Sequence, residues 1–110
     1  MPLSQDAMDR EIFRRKVTVQ NPLGFHMRPV AAFAQRAGQY ESTINVQKDE
    51  LRVNGKSILE LLLLAAEQGT ELVLEADGAD APAALEALAE LIELSKDDDE
   101  SQDPSLPRKG

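Results

Sequence analysis

The sequence predicts an α+β sandwich in which one half-buried sheet carries its helices on a single face. Apolar residues alternate with polar ones in four short segments and recur at helical spacing in three others, in the order βαββαβα. Alternation indicates strands with one buried face, and helices with one apolar stripe can cover that face. A doubly wound parallel sheet, which buries both of its faces, is not favoured.

The first predicted strand and helix flank a turn. Val17 and Val19 alternate with polar residues, and the strand ends at the turn dipeptide Asn21-Pro22. A helix follows, and Gly38 is predicted to end it. The residues that share the apolar face of this helix are Val30, Phe33, Ala34 and Ala37.

The rest of the chain predicts a hairpin, a helix, a strand and a last helix. The hairpin turns at Lys48-Asp49. The second helix is predicted over residues 57–68 and ends at Gly69. Asp80 is predicted to cap the third helix, with Pro82 in its first turn. The predicted buried residues of this half are Ile44, Val46, Leu51, Val53, Leu72, Leu74, Ala76, Ala84, Leu85, Leu88, Leu91 and Ile92.

The 110 residues are enough for one domain. Residues 1–10 are polar without a period, which predicts a flexible N-terminal extension. Residues 95–110 combine an acidic run with two prolines, which predicts a disordered acidic tail. The folded domain is therefore predicted over residues 11–94.

Composition argues against several classes of function. The chain has no cysteine and one histidine, so we predict neither a metal site nor another cofactor. The net charge of −8 and an aromatic content of 4% argue against nucleic-acid binding. No secretory signal is recognisable, and no apolar run approaches the roughly 20 residues that span a bilayer. We expect a cytoplasmic protein without membrane insertion.

The only histidine stands at the start of the first predicted helix, in the segment NPLGFHMRP. The positive end of the helix dipole disfavours an imidazolium there and favours an anion. A neutral imidazole is a nucleophile, and helix N–H groups and Arg28 can hold a phosphoryl group on His26. Gly24 permits close backbone approach, and Pro29 has no N–H to lose in a first helical turn. If a partner delivers the phosphoryl group, the site suits a carrier better than a stand-alone enzyme.

The alternative for this segment is a histidine without chemistry, at an ordinary loop-to-helix junction, beside a solvated Arg28. An isolated histidine favours that alternative. The pattern Gly-x-His-x-Arg-Pro between a strand and a helix favours the chemical role of His26.

The segment NPLGFHMRPVAAF resembles the active-site segment of the HPr family, the histidine-containing phosphocarriers of the bacterial phosphoenolpyruvate-dependent phosphotransferase system. The stretch VNGKSILELLLLAAEQGTELVLEADGADAPAALEALAELI is similar to the second signature and C-terminal half of that family, so the resemblance covers residues 16–93. It implies an open-faced β-sandwich, with a four-stranded antiparallel sheet under three helices. It also implies that His26 carries the phosphoryl group on Nδ1, with Arg28 as its electrostatic partner. Enzyme I is then the donor, and enzyme IIA-type proteins of sugar transport are the acceptors.

Ser57 is followed three residues later by Glu60, a pattern that predicts a capping box. In many HPr proteins the serine at the matching position is phosphorylated by a bifunctional HPr kinase/phosphorylase. The resemblance therefore implies a regulatory role for Ser57, with that kinase and a transcriptional regulator as further partners. A phosphate there would add negative charge beside the partner-binding face.

The second predicted helix is too apolar for one buried face. If Leu61, Leu64 and Ala65 point inward, apolar residues remain on the outer side, and an exposed apolar patch marks a protein-binding site more often than not. A wider core contact or a dimer surface is the alternative. Met27, where the family commonly has a small residue or threonine, joins this surface. The predicted partner-binding residues are Met27, Ile58, Leu59 and Leu62.

Two functions remain open. The first is a carrier that cycles His26 between enzyme I and enzyme IIA-type proteins. The second is a regulatory module, of nitrogen-type phosphotransfer or catabolite control, that binds through the second helix and is switched at Ser57. His26 with Arg28 favours the first, since a module that only binds needs neither residue.

Overall fold

The structure, a computed structural model, describes residues 12–94. The predicted N-terminal extension and acidic tail lie outside the described residues. The strands are β1 (Ile12–Thr18), β2 (Thr43–Lys48), β3 (Leu51–Asn54) and β4 (Glu71–Asp77). The helices are α1 (Met27–Ala37), α2 (Ile58–Leu63) and α3 (Ala81–Glu93). The order βαββαβα is the one that the periodicity predicted.

The four strands form one antiparallel sheet in the order β1-β4-β2-β3. In the central strand β4, Leu72 lies opposite Val17 of β1, and Leu74 lies opposite Val46 of β2. All four residues are buried, and two-residue alternation puts them on the same face of the sheet. The predicted α+β class and the antiparallel open-faced sheet are therefore confirmed.

The helices cover the buried face of this sheet. Burial of one Val, Leu, Ile or Phe side chain contributes about 1.5–3 kcal/mol, so the number of buried residues ranks how firmly each helix is held. α1 buries Val30, Phe33, Ala34 and Ala37, as predicted. α3 buries Ala81, Ala84, Leu85, Leu88, Ala89 and Ile92. α2 buries Leu61 alone, so it is held least. No helix among the described residues is long and apolar enough to cross a membrane.

The second helix was predicted to reach residue 68, which is wrong. α2 stops at Leu63, and Ala65 takes a left-handed conformation (φ 46°) that an α-helix cannot contain. Beyond it, Ala66 O accepts a hydrogen bond from Phe25 N (2.8 Å), in the loop after β1. Gly69, at φ 89°, closes a turn instead of a helix. Periodicity reports local spacing only, and here tertiary hydrogen bonds outweigh it.

Asp80 precedes α3 but makes no side-chain capping hydrogen bond, which corrects the prediction. Its carboxylate accepts hydrogen bonds from the Ser42 hydroxyl and from the backbone N–H groups of Glu41 (2.8 Å) and Ser42 (3.0 Å). Asp80 therefore ties the turn before α3 to the loop between α1 and β2. The Ser42 hydroxyl, followed by the Glu41 N–H, lowers the pKa of Asp80 below its ordinary value of 3.8.

Asp80→Asn is expected to lower the thermal unfolding midpoint at neutral pH, because an amide accepts hydrogen bonds less strongly than a carboxylate. A carboxyl whose pKa is lowered on folding stabilises the fold above its unfolded pKa, and this contribution is lost as the pH falls through the folded pKa. The gap between the unfolding midpoints of wild type and variant should therefore narrow as the pH falls below 3.8, the ordinary pKa of an aspartate. Calorimetry over a range of pH measures the unfolding midpoints, with Glu86→Gln on the exposed side of α3 as control. A gap that stays constant would contradict this role of Asp80.

Candidate functional site

The loop of residues 19–26 leads from β1 to α1 and determines where the only histidine lies. Asn21 is buried, with 1% of its surface exposed, and its side-chain oxygen accepts a hydrogen bond from Leu23 N (2.9 Å). Its carbonyl oxygen accepts another from Gly24 N (2.7 Å). Such an asparagine forms an Asx turn. The turn predicted at Asn21-Pro22 is therefore present, and a buried side chain holds it.

The turn places Gly24 and Phe25 against the segment after α2. Gly24 has φ 81°, and a Cβ atom there would lie 2.7 Å from Ala66 O. Phe25 N donates to the same oxygen (2.8 Å), and the buried Phe25 ring meets Phe33 edge to face at 5.7 Å. The close approach predicted for Gly24 is thus observed. The residue before His26 is anchored by both its backbone and its ring.

His26 is the N-cap residue of α1. Its backbone is extended (φ −99°, ψ −170°), and its carbonyl accepts the first helical hydrogen bond, from Val30 N (2.9 Å). Its imidazole makes no capping hydrogen bond. The side chain is half-buried, and Nε2 is buried without a hydrogen-bond partner. The backbone of His26 therefore begins the helix, and its ring caps none of the free N–H groups of the first turn.

The first turn of α1 forms an environment that favours an anion. The first N–H groups of an α-helix have no acceptor within the helix, and Pro29 contributes no N–H. No acidic residue stands in this turn, and Arg28 is exposed in it. Helix dipole, backbone donors and guanidinium thus favour negative charge beside His26. Over residues 12–94, no group of three or more His, Cys, Asp or Glu side chains is placed to hold a metal ion.

Ser57 is the N-cap residue of α2, as predicted, and its hydroxyl oxygen accepts a hydrogen bond from Glu60 N (3.2 Å). The predicted capping box is only half formed. Ser57 N donates to Asn54 O (3.2 Å), and the Glu60 carboxylate accepts from Asn54 N (2.8 Å) instead of from Ser57. The Ser57 N–H, which Glu60 would bind in a full capping box, already donates to Asn54 O. Glu60 therefore connects the end of β3 to the start of α2.

A groove of about 490 Å³ separates α1 from the start of α2. Its lining residues are Ala31, Ala34 and Gln35 from α1, and Lys56, Ser57, Ile58 and Leu59 around the start of α2. Ser57 therefore shares the groove with residues 31–35 of α1, whereas Ala66, beyond the end of α2, contacts Phe25, just before α1. The two helices run antiparallel. At 1.5 Å per residue, the groove residues Ala31 to Gln35 are about 6 to 12 Å along the axis from the first residue of α1.

The exposed apolar surface near this groove differs in part from the predicted one. Three of the predicted residues are exposed: Met27 (54%), Ile58 (39%) and Leu59 (77%). Leu62 is not: it is half-buried and packs against the core, and Leu63 is exposed instead (66%). Successive helical residues turn by about 100°, so Leu63 points about 160° away from the buried Leu61, whereas Leu62 turns away by only 100°. The exposure of Leu63 and the partial burial of Leu62 could therefore have been predicted from the sequence once Leu61 was taken as the inward residue.

The described fold and site define a small, open-faced α+β domain with a single histidine in an anion-favouring helix N-terminus. The family model described as "PTS HPr component phosphorylation site" matches residues 13–94. The chain therefore belongs to the HPr family, the phosphocarrier proteins of the phosphotransferase system.

Similar proteins extend over most of the chain. The phosphocarrier protein HPr of Neisseria meningitidis serogroup A is 44% identical over 81 residues, which are 74% of this chain and 91% of that protein. The HPr-like protein Crh of Bacillus subtilis is 41% identical over 80 residues, 73% of this chain and 94% of Crh. A crystal structure of a phosphocarrier protein HPr from Bacillus anthracis gives a TM-score of 0.71 at 36% identity, and the match covers 74% of this chain and 96% of that one. The family predicted from two segments is confirmed.

Gly24→Ala is expected to lower the free energy of unfolding by about 2 kcal/mol or more, because a left-handed conformation disfavours alanine by roughly 1–2 kcal/mol and the new Cβ would also meet Ala66 O. Gly69→Ala is the matched control, since Gly69 has φ 89° but nothing within 4 Å of the added Cβ. Chemical denaturation measures both variants. Equal losses would show that the contact with Ala66 does not support the loop.

Proposed function

We propose that this protein is a cytoplasmic phosphocarrier that receives a phosphoryl group on His26 from phospho-enzyme I and passes it to enzyme IIA-type acceptors. The observation that carries the proposal is the position of the only histidine, the N-cap of α1, with an imidazole that makes no capping hydrogen bond. A histidine with a purely structural role would use its ring nitrogens in the fold. The protein then acts as a carrier and not as a stand-alone enzyme.

We assign the phosphoryl group to Nδ1. The burial of Nε2 supports this choice, because a donor protein needs an accessible nitrogen. With the ring proton on Nε2, Nδ1 has a lone pair that attacks phosphorus while the bond to the donor's leaving group breaks. The phosphoryl group passes directly between the two proteins, so the carrier needs no water and no general base of its own.

The first turn of α1 supplies the electrostatic stabilisation in this proposal. The helix N-terminus contributes about 0.3–1 kcal/mol toward an anion, up to about 2 kcal/mol in a partly buried site. A hydrogen bond from Arg28 to phosphate oxygens adds about 1.5–3 kcal/mol. Every 1.4 kcal/mol or so of this stabilisation changes the equilibrium constant for transfer about tenfold. They remain small enough for the group to leave again, which a carrier requires.

We assign partner docking to the face where α1 and α2 lie side by side. The exposed Met27 and Leu63 lie toward the His26 end of this face, and Ile58 and Leu59 border the groove. A partner that covers these side chains would exclude water around the imidazole during transfer. With one histidine and one such face, enzyme I and an enzyme IIA-type protein would bind in turn and not together. The half-buried Leu62 is left out of this surface.

A second candidate function is a regulatory module that binds a transcriptional regulator through α2 and is switched when an HPr kinase/phosphorylase modifies Ser57. The observation that favours it is the position of Ser57 in the groove, beside Ile58 and Leu59. The similarity to the HPr-like protein Crh also supports it. Nitrogen-type phosphotransfer is a further form of this second function.

The two roles act at different places on the same face. Ser57 lies in the groove with Ala31 to Gln35 of α1, which are about 6 to 12 Å along the axis from its start. Salt weakens the interaction between exposed charges over such distances, because the Debye length at physiological salt is about 8 Å. A phosphate on Ser57 would therefore act on docking more than on the imidazole of His26.

Phosphoenolpyruvate-dependent labelling tests the carrier function. With enzyme I present, the wild type should gain an acid-labile, base-stable phosphate, and His26→Ala should gain none because it lacks the only imidazole. Arg28→Ala should label about tenfold more slowly, which corresponds to about 1.4 kcal/mol in the barrier. The matched control is Arg15→Ala, an exposed arginine on β1, which should label at the wild-type rate. Labelling that survives in a folded His26→Ala variant would refute the proposal.

Two variants of Ser57 separate capping from regulation. Ser57→Asp should raise KM for phospho-enzyme I about tenfold at nearly constant kcat, because its charge disturbs docking and is screened from His26. Aspartate is itself a good N-cap, so the helix should persist. Ser57→Ala should lower the free energy of unfolding by about 1 kcal/mol and leave KM close to wild type. A fall in kcat at constant KM for Ser57→Asp would overturn the assignment of this face to docking.

A further inference from the structure

We propose that Lys48 is a positioning residue for His26: its ammonium group holds the segment that follows α2, and that segment holds the loop that carries His26. The role in transfer rests on the function proposed above, whereas the positioning itself does not. Lys48 ends β2, so it lies in the sheet and outside the face assigned to docking. It belongs to none of the motifs that surround His26 or Ser57.

The first link joins Lys48 to the end of α2. Its Nζ donates hydrogen bonds to Leu64 O (2.9 Å) and Ala65 O (3.5 Å). The last carbonyl groups of a helix lack partners within the helix, and a lysine can bind them. Ala65 has φ 46°, a conformation that disfavours alanine. Something must hold the backbone in that conformation, and Lys48 binds the carbonyl groups on either side of the Ala65 Cα atom.

The second link joins the same segment to the loop before α1. Ala66 is buried, and its carbonyl accepts the hydrogen bond from Phe25 N (2.8 Å). Gly24 lies against that carbonyl, at a distance that excludes a Cβ atom. If Ala65 returned to a right-handed conformation, the Ala66 carbonyl would move and the buried Phe25 N–H would lose its acceptor, which is costly. The conformation of Ala65 therefore controls the position of the residue before His26.

This connection matters for transfer because group transfer between proteins needs accurate placement. A displacement of about 1 Å at a reacting group can cost about a hundredfold in rate. Met27 and Leu59, which we assign to docking, do not take part in the connection. We therefore expect a change at Lys48 to lower kcat for transfer more than it changes KM for phospho-enzyme I.

Amide hydrogen exchange tests the positioning without any phosphoryl transfer. In Lys48→Met, which keeps most of the apolar stem, the Phe25 amide should exchange about tenfold faster, whereas the amide of Leu74 in the central strand should change by less than about twofold. Lys16→Met removes the same charge from the open face of the sheet and should leave both amides unchanged. An unchanged Phe25 amide, or equal acceleration of both amides, would overturn the proposal.

Transfer kinetics test the consequence for His26. Lys48→Met should lower kcat for phosphorylation by phospho-enzyme I about tenfold at nearly constant KM, and Lys48→Arg should restore it because arginine also donates to carbonyl groups. Lys16→Met should transfer at the wild-type rate. A wild-type kcat in Lys48→Met would overturn the role in transfer. A wild type that accepts no phosphoryl group would refute the carrier function, and hydrogen exchange would still decide the positioning.

An Ala65→Gly background keeps the test valid if Lys48→Met folds poorly. Glycine adopts positive φ readily, so the segment needs less support from Lys48. In this background Lys48→Met should accelerate exchange of the Phe25 amide by less than about threefold. An equal acceleration in the alanine and glycine backgrounds would show that Lys48 does not act through the conformation of Ala65, and would overturn the proposed link.

Discussion

The structure depends first on β4, an inner strand of a sheet that buries only one of its two faces. Its Leu72, Leu74 and Ala76 are fully buried, whereas the opposite face carries charged residues such as Glu75, paired with Arg14. A sheet with one apolar face is completed by a single layer of helices. α1 and α2 must therefore lie in the same layer. One continuous protein surface can then include the start of α1, the groove and the start of α2.

The placement of His26 follows from how the chain leaves this sheet. The register pairs Thr18 at the end of β1 with Glu71 at the start of β4, and the hairpin turn after Lys48 lies at the same end. The loop after β1 and the segment before β4 therefore meet there. They meet as backbone against backbone, through the hydrogen bond from Phe25 N to the carbonyl of Ala66.

Most features that depend on burial and periodicity could be predicted from the sequence, although Leu51, which alternation predicted as buried, is 43% exposed. Val30 and Phe33 repeat at helical spacing and Leu72 and Leu74 alternate, and such patterns follow directly from which face is dry. The position of His26 at the start of α1 could be predicted as well, because the sequence has the only imidazole between a strand and a helix. The family resemblance rested on this segment and on a second one, residues 53–92.

Features that depend on partners distant in sequence could not be predicted. Asp80 has the spacing of an N-cap, but its carboxylate binds Glu41 and Ser42, which lie 39 and 38 residues earlier. The leucine run after Ser57 has helical composition to Ala66, but α2 ends at Leu63 because the backbone beyond it bonds to other segments. In each case a tertiary hydrogen bond decided between local conformations of similar energy.

The net charge of −8 raises the question of how this chain could receive a negatively charged group in the proposed carrier function. Long-range repulsion is weak at physiological salt, because the Debye length is about 8 Å. The groups within one helical turn of His26 therefore determine whether an anion is favoured there. That turn contains Arg28 and no acidic residue. Backbone N–H groups supply the rest of the favourable field, and they keep their orientation whatever the side chains around them are. The favourable field at the start of α1 is thus set by groups close to His26 and not by the overall charge.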